Sequence, residues 1–397
     1  MQHKNTLAPF LYVFITFLKL GLTSFGGPVA HIGYFRKQLV EKQKWVSESE
    51  FAQLVAICQV LPGPASSQLG FALGLLRASW LGGISAFIAF TLPSVCLLIG
   101  FVWLLPHIPE SISQSMIHGL TLVALVVVAD AIIGMSKKMC VDAATICIAL
   151  LSLTILIVFN QSYAQILTIL FAGVVGFYFC KPTQIQIGQT FKLQYGKKLS
   201  AILLIVFFGL LSLCFIPSLK QDLILLFQIF YKTGALVFGG GHVVLPLLEN
   251  ELVATELISQ QTFISGYGAS QAMPGPMFSF AAYLGLAMPE QTPSIMNALF
   301  AVLFIFLPGF LLVAAALPFW NTLSNHPNAT KIMTGINAAV IGLLAATFYD
   351  PIITHAIVSW FDILIGLIGL VLLNYFKRSV LEIVGFCVLA SMGFALI

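Results

Sequence analysis

The sequence predicts an all-α polytopic membrane protein with about 10–13 transmembrane or re-entrant helices in two homologous, inverted repeats. Three observations carry this. Of the 397 residues 59% are hydrophobic and only 8% are charged, whereas soluble domains carry about 25% charged residues. Apolar runs of the ~20 residues needed to span a bilayer recur along the whole chain. A Pro-Gly-Pro element, Gln59-Val60-Leu61-Pro62-Gly63-Pro64, returns 212 residues later as Gln271-Ala272-Met273-Pro274-Gly275-Pro276, inside apolar sequence both times.

The apolar runs, in order, are 7–25, 51–76, 80–105, 115–136, 142–159, 163–180, 200–217, 222–240, 262–288, 296–319, 331–349, 352–374 and 379–397. The first follows Met1-Gln2-His3-Lys4-Asn5 without a small-residue cleavage site and is expected to be retained rather than removed as a signal peptide. Phe17, Lys19, Gly21, Phe25, Gly26 and Gly27 align with Phe230, Lys232, Gly234, Phe238, Gly239 and Gly240 at an offset of 213. The offset is 212 for Phe51, Gln59, Pro62, Gly63, Pro64 and Ser67 against Phe263, Gln271, Pro274, Gly275, Pro276 and Ser279, 215 for Leu92-Pro93 against Leu307-Pro308, and 216 for Gly119 against Gly335. The expected organisation is repeat one at 7–181, a polar linker at 182–199, an unmatched apolar segment at 200–217 and repeat two at 218–397.

The loop after the first run carries Arg36, Lys37, Lys42 and Lys44, while its counterpart carries Glu249, Glu251 and Glu256. Basic loops stay cytoplasmic, so the two loops belong on opposite faces and the repeats are inverted. Strict alternation then misplaces Arg77 and Lys137-Lys138, unless 51–76 is a re-entrant hairpin bent at Pro-Gly-Pro.

Pro removes a backbone donor and Gly costs roughly 1 kcal/mol in a helix, so Pro-Gly-Pro at membrane depth is a deliberate break. Phe25-Gly26-Gly27-Pro28 and Phe238-Gly239-Gly240-Gly241 are a second pair of breaks. A half-helix that starts at a break presents N–H groups and a partial positive charge, and binds anions without a basic side chain. Gly26, Gly27, Gln59, Pro62, Gly63, Pro64 and Ser67, with Gly239, Gly240, Gln271, Pro274, Gly275, Pro276 and Ser279, are therefore candidate substrate-binding residues. Lys19 and Lys232 hold matching positions and join them as attracting charges, against the plainer reading that each snorkels to the interface. His31, His242 and Asp130 are candidates for a coupled proton, against ordinary structural roles. The seven cysteines form no C-x-x-C and have no His at ligand spacing, so free, buried thiols and no metal or other cofactor are expected. The net charge of +4 comes from a few loop residues, which offers nothing to nucleic acid.

With these paired motifs in view, the sequence resembles the chromate ion transporter family in its long-chain form with two homologous halves. The matching stretches are Phe25-Gly26-Gly27-Pro28-Val29-Ala30-His31, Gln59 to Pro64, Phe238-Gly239-Gly240-Gly241-His242-Val243-Val244-Leu245-Pro246 and Gln271 to Pro276, so the resemblance covers nearly the whole chain. It implies a multi-pass carrier of the inner membrane that exports chromate, coupled to the proton gradient, and confers chromate resistance. Sulfate, a tetrahedral dianion of similar size, is the alternative substrate. From a different class, an integral-membrane enzyme acting on lipid phosphate would also suit re-entrant helices, and Pro62-Gly63-Pro64-Ala65-Ser66-Ser67 faintly fits a phosphate turn. Such a site wants an Arg close by, and none follows the first Pro-Gly-Pro until Arg77.

Overall fold

The computed structural model describes residues 8–25, 27–159, 162–181, 191, 193, 195–216, 222–238, 241–288, 294–320 and 327–394, which form helices and no strand. Helix α1 (Pro9–Thr23) opens with Pro at its first turn, where a missing N–H leaves no bond unmade. After a break, α2 (Gly27–Phe35) runs into a π-helical turn, Arg36–Lys42. Ser47 then starts α3 (Glu48–Val60): its hydroxyl accepts from the Glu50 N–H at 3.2 Å, and its own N–H donates to the Glu50 carboxylate at 2.8 Å. Such a cap contributes about 1 kcal/mol.

Beyond Pro62-Gly63-Pro64 comes α4 (Ala65–Leu104), which is two arms rather than one rod. Ala78 (φ −145°, ψ 33°) and Ser79 (φ 56°, ψ −155°) leave the helical region. Gly74 consequently lies against Gly82, residues that a straight helix would hold about 12 Å apart. The apolar run 51–76 is thus not one crossing. Its two arms, α3 and 65–77, are each roughly 20 Å long, short of a ~30 Å hydrocarbon core, and they meet at the Pro-Gly-Pro tip. Arg77 returns to the starting side, its guanidinium 5.6 Å from the centre of the Trp45 ring, next to the basic loop. The re-entrant hairpin that the charges of the first repeat ask for is present.

Repeat two has the same plan. The linker leads through α8 (Lys197–Leu213) to α9 (Asp222–Leu236), followed after a break by α10 (Val244–Leu252). Ser259, the counterpart of Ser47, caps α11 (Gln260–Ala272) by accepting from the Thr262 N–H at 3.2 Å. The run 262–288 is likewise divided, at Pro274-Gly275-Pro276, before α12 (Phe280–Ala287) and the long α13 (Ile295–Ala316).

The halves are completed by α5 (Glu110–Met139), α6 (Ala143–Val158) and α7 (Ser162–Phe179) in the first, and α14 (Pro327–Thr347), α15 (Trp360–Asn374) and α16 (Val380–Phe394) in the second. These are exchanged: α5 packs on α15 and α16, and α14 packs on α6 and α7. Small residues permit the approach, with Gly119 against Val388 and its counterpart Gly335 against Gly176. His118 Nε2 lies 2.8 Å from Asp362 Oδ1 across this seam, and Ser391 Oγ donates to the Ser115 carbonyl at 2.8 Å. Asp142-Thr145 and Ser359-Asp362 form capping boxes at the starts of α6 and α15. The Thr145 hydroxyl and N–H hold the Asp142 carboxyl below its usual range.

By length and composition alone four stretches could cross a membrane, Ala65–His107 (through its arm after the Ala78-Ser79 fold), Glu110–Met139, Ile295–Phe319 and Thr330–Ala356, and shorter apolar helices accompany them. All seven cysteines are free thiols, but Cys96 and Cys147 are exposed on their helices rather than buried, and no cluster of three or more metal-ligating side chains occurs among the described residues.

Candidate functional site

The two Pro-Gly-Pro tips cross to the opposite repeat. The Gly63 N–H donates to the Val237 carbonyl at 2.7 Å, and the Gly275 N–H donates to the Ser24 carbonyl at 2.9 Å. Ser24 and Val237 are counterparts, each ending the first helix of its repeat. Both glycines have φ in the left-handed range, +122° at Gly63 and +102° at Gly275, which other residues adopt only with strain. A Cβ at Gly63 would lie 2.9 Å from Gln68 Nε2 and 3.0 Å from Gly309 Cα, and one at Gly275 would lie 3.1 Å from both the Phe90 carbonyl oxygen and Ser94 Oγ. Ser94 and Gly309 are counterparts too, at the 215 offset. Gly241 backs onto Pro28 and Met277, with 3.2 Å from its built Cβ to each, so the two first-helix breaks also meet. All four interruptions converge in one place. Inside a membrane a broken backbone must find partners within the protein, and here each break supplies the other's.

This corrects one expectation. The N–H groups of Gly63 and Gly275 are not free for an anion, and a methyl group at either glycine would meet protein rather than an ion. The free donors lie just beyond. The first intrahelical bond of α4 runs from the Gln68 N–H to the Pro64 carbonyl at 2.9 Å, which leaves the N–H groups of Ala65, Ser66 and Ser67 ahead of it. The Ser67 hydroxyl is buried without a partner. Ser279, its counterpart, is buried with its hydroxyl donated to the Pro276 carbonyl at 2.7 Å. His31 is fully buried, its Nδ1 lies 3.3 Å from Ser66 Oγ, and its Nε2 has no partner. His242, half-buried, is bonded through Nδ1 to the Tyr267 hydroxyl.

The remaining candidates are scattered. Pro62, Pro64, Pro274 and Pro276 are buried at the tips, Gly27 is half-buried with φ +76°, Gln59 is exposed, and Gln271 is buried with an unpartnered amide nitrogen. Gly26, Gly239 and Gly240 lie outside the described residues. Lys19 is exposed, whereas Lys232 is half-buried and paired with Glu251 at 2.7 Å, so equivalent positions have unlike surroundings. Glu251 is accordingly a partner within the fold and not a solvated loop residue. Asp130 is half-buried, and among the described residues it forms no ion pair with Lys137 or Lys138.

Several residues at this crossing escaped the sequence reading. Gln68 ties the first tip to α13, its amide nitrogen donating to the Pro62 carbonyl at 2.9 Å and the Gly309 carbonyl at 3.1 Å. Ser24 and Thr91 are buried with hydroxyls that lack partners. Polar residues inside apolar runs were the available signal, but sequence spacing does not bring 24, 68 and 91 together.

A family described as Chromate transporter matches residues 11–177 and again 224–394. An uncharacterized transporter of Methanocaldococcus jannaschii is 28% identical over 97% of this chain and 94% of its own length. Chromate transport proteins of Pseudomonas aeruginosa and Cupriavidus metallidurans are each 26% identical, over 85% and 91% of this chain and 80% and 87% of their own lengths. No solved structure matches.

Proposed function

The chain belongs to the chromate transporter family, and from that premise we propose that it is a secondary transporter that exports chromate across the inner membrane, coupled to the proton gradient, and so confers chromate resistance. The observation that carries the site is the reciprocal crossing of the tips, Gly63 to Val237 and Gly275 to Ser24. It holds two half-helix starts at one depth without spending a charged side chain, the arrangement an oxyanion needs to exchange its hydration shell for fixed donors. The anion is bound beside the tips, with the N–H groups after Pro64 and the Ser67 hydroxyl as donors. Lys19 supplies attracting charge, Lys232 does so when its ion pair with Glu251 opens, and His31, His242 or Asp130 carries the coupled proton.

Energetics favour the outward direction. A charge crossing about 100 mV is worth roughly 2.3 kcal/mol, so a dianion leaving a negative interior gains about 4–5 kcal/mol. Uptake of the same ion would need at least two co-transported protons to cancel that cost. Sulfate remains the second reading, because two tetrahedral dianions of similar size present the same oxygens to the same donors. Flux of radiolabelled chromate and of sulfate into inside-out vesicles is the test. Chromate accumulation that collapses when the proton gradient is dissipated is the expected result. Sulfate flux without chromate flux would move the function to sulfate, and flux of neither would end the proposal.

A further inference from the structure

We propose that the anion site is one-sided, built by the first repeat alone around the tip of the second, with Ser24, His31, Ser67 and Thr91 as its side-chain ligands. This deepens the transport reading above and rests on it. All four side chains are nine-tenths or more buried, with exposures of 0%, 0%, 3% and 3%. Ser24 Oγ, His31 Nε2, Ser67 Oγ and Thr91 Oγ1 each lack a partner.

Contacts around the crossing join these residues into one neighbourhood. The Ser24 carbonyl holds the Gly275 N–H. Gly275 backs onto Phe90, the residue before Thr91. The His31 ring stands edge-on to the Phe90 ring, with centroids 5.3 Å apart, and lies 3.3 Å from Ser66, the residue before Ser67. An unsatisfied buried polar group is costly. These four can all donate and none is a carboxylate, which calls for an occupant rich in acceptors, although the Gln68 amide oxygen at the same crossing is an orphan acceptor. The N–H groups at the start of α4 point to the same sign of charge.

The second repeat is the internal control. At the offsets of the duplication, Ser24, His31 and Thr91 correspond to Val237, Val244 and Phe306, while Ser67 corresponds to Ser279, whose hydroxyl is donated to the Pro276 carbonyl. All four counterparts are buried, and the Phe306 ring packs on that of Phe278, the counterpart of Ser66, with centroids 5.8 Å apart. Where the first repeat has four unpartnered groups, the second has hydrocarbon at three of the positions and, at the fourth, a hydroxyl already bonded within the chain. Orphan groups of the second repeat at Thr233 and Gln271 do not occupy these counterpart positions. One tetrahedral oxyanion per chain follows, despite the duplication.

Equilibrium binding of radiolabelled chromate, and separately of sulfate, to the full chain in lipid nanodiscs tests this. One anion per chain is expected. Thr91→Val, Ser67→Ala and His31→Gln should each weaken binding roughly tenfold or more, the loss of one hydrogen bond to a charged ligand, and Thr91→Ser should restore most of it. Ser152→Ala in α6, which removes a hydroxyl bonded to the Ile148 carbonyl, should leave affinity unchanged and so control for general loosening. If His31→Gln does not fold, the two hydroxyl variants decide. Two equivalent anions per chain, wild-type affinity in the folded variants, or no binding of either anion overturns the inference. Sulfate binding with these sensitivities, in the absence of chromate binding, leaves the site standing and removes the chromate assignment.

Discussion

The N–H of Gly275 reaches the carbonyl of Ser24 at 2.9 Å, a bond between residues 251 positions apart that ends one broken helix on the turn of another. Its mate, Gly63 to Val237 at 2.7 Å, makes the junction reciprocal. Both glycines therefore have two duties, a left-handed backbone and a donor placed against the other repeat.

Gly63→Ala and Gly275→Ala should both impair the protein through strain and displacement of a neighbour. The expected loss is about 1–3 kcal/mol for the backbone alone, seen as a lower melting temperature in detergent and reduced flux at equal membrane abundance. Unchanged melting and flux in both variants would show that the crossing is slack.

Lys232→Gln leaves Glu251 half-buried and unpaired, so it should destabilise by about 1–3 kcal/mol. The exchange Lys232→Glu with Glu251→Lys should recover part of that. Lys19→Gln, at an exposed position, should change stability by less than about 0.5 kcal/mol, and any effect on chromate flux then reports charge attraction directly. Thermal unfolding separates the cases, and equal destabilisation by Lys19→Gln would contradict the difference in surroundings.

Across the seam, Asp362 accepts from His118, from the Val358 and Ser359 N–H groups and from the Ser359 hydroxyl. Asp362→Ala removes the cap and orphans several donors, whereas His118→Ala leaves the carboxylate three donors. The first should cost more, by about 1 kcal/mol, and the reverse order in unfolding experiments would mean that the ion pair, not the cap, dominates.

For the inversion of the repeats, Lys37→Cys and Thr255→Cys in a cysteine-free background should label from opposite faces, since both positions are exposed. Arg77→Cys should label from the same face as Lys37→Cys, because Arg77 lies over Trp45. Labelling of all three from one face would rule inversion out.

The composition, the duplication and the need for a hairpin at Pro62-Gly63-Pro64 were legible because each is a local or periodic property. The fates of individual polar groups were not legible. Ser67 and Ser279 each stand three residues after a Pro-Gly-Pro, yet one hydroxyl is free and the other bonds to Pro276. Lys232 finds Glu251 nineteen residues on, a pairing set by how α10 folds back on α9. The donors of Gly63 and Gly275 seemed available because a turn's own sequence does not reveal a carbonyl arriving from the other half of the chain.

The exchange of α5 and α14 has a consequence for biogenesis. Gly119 is made early and finds Val388 only when the final helix, Val380–Phe394, has been synthesised. At about 5–20 residues per second the wait is on the order of tens of seconds. During that interval the Gly119 face of α5 lacks its partner, so the first half of the nascent chain is unfinished until Val380–Phe394 enters the membrane. A truncation at the carboxyl terminus is then a lesion in the amino-terminal half.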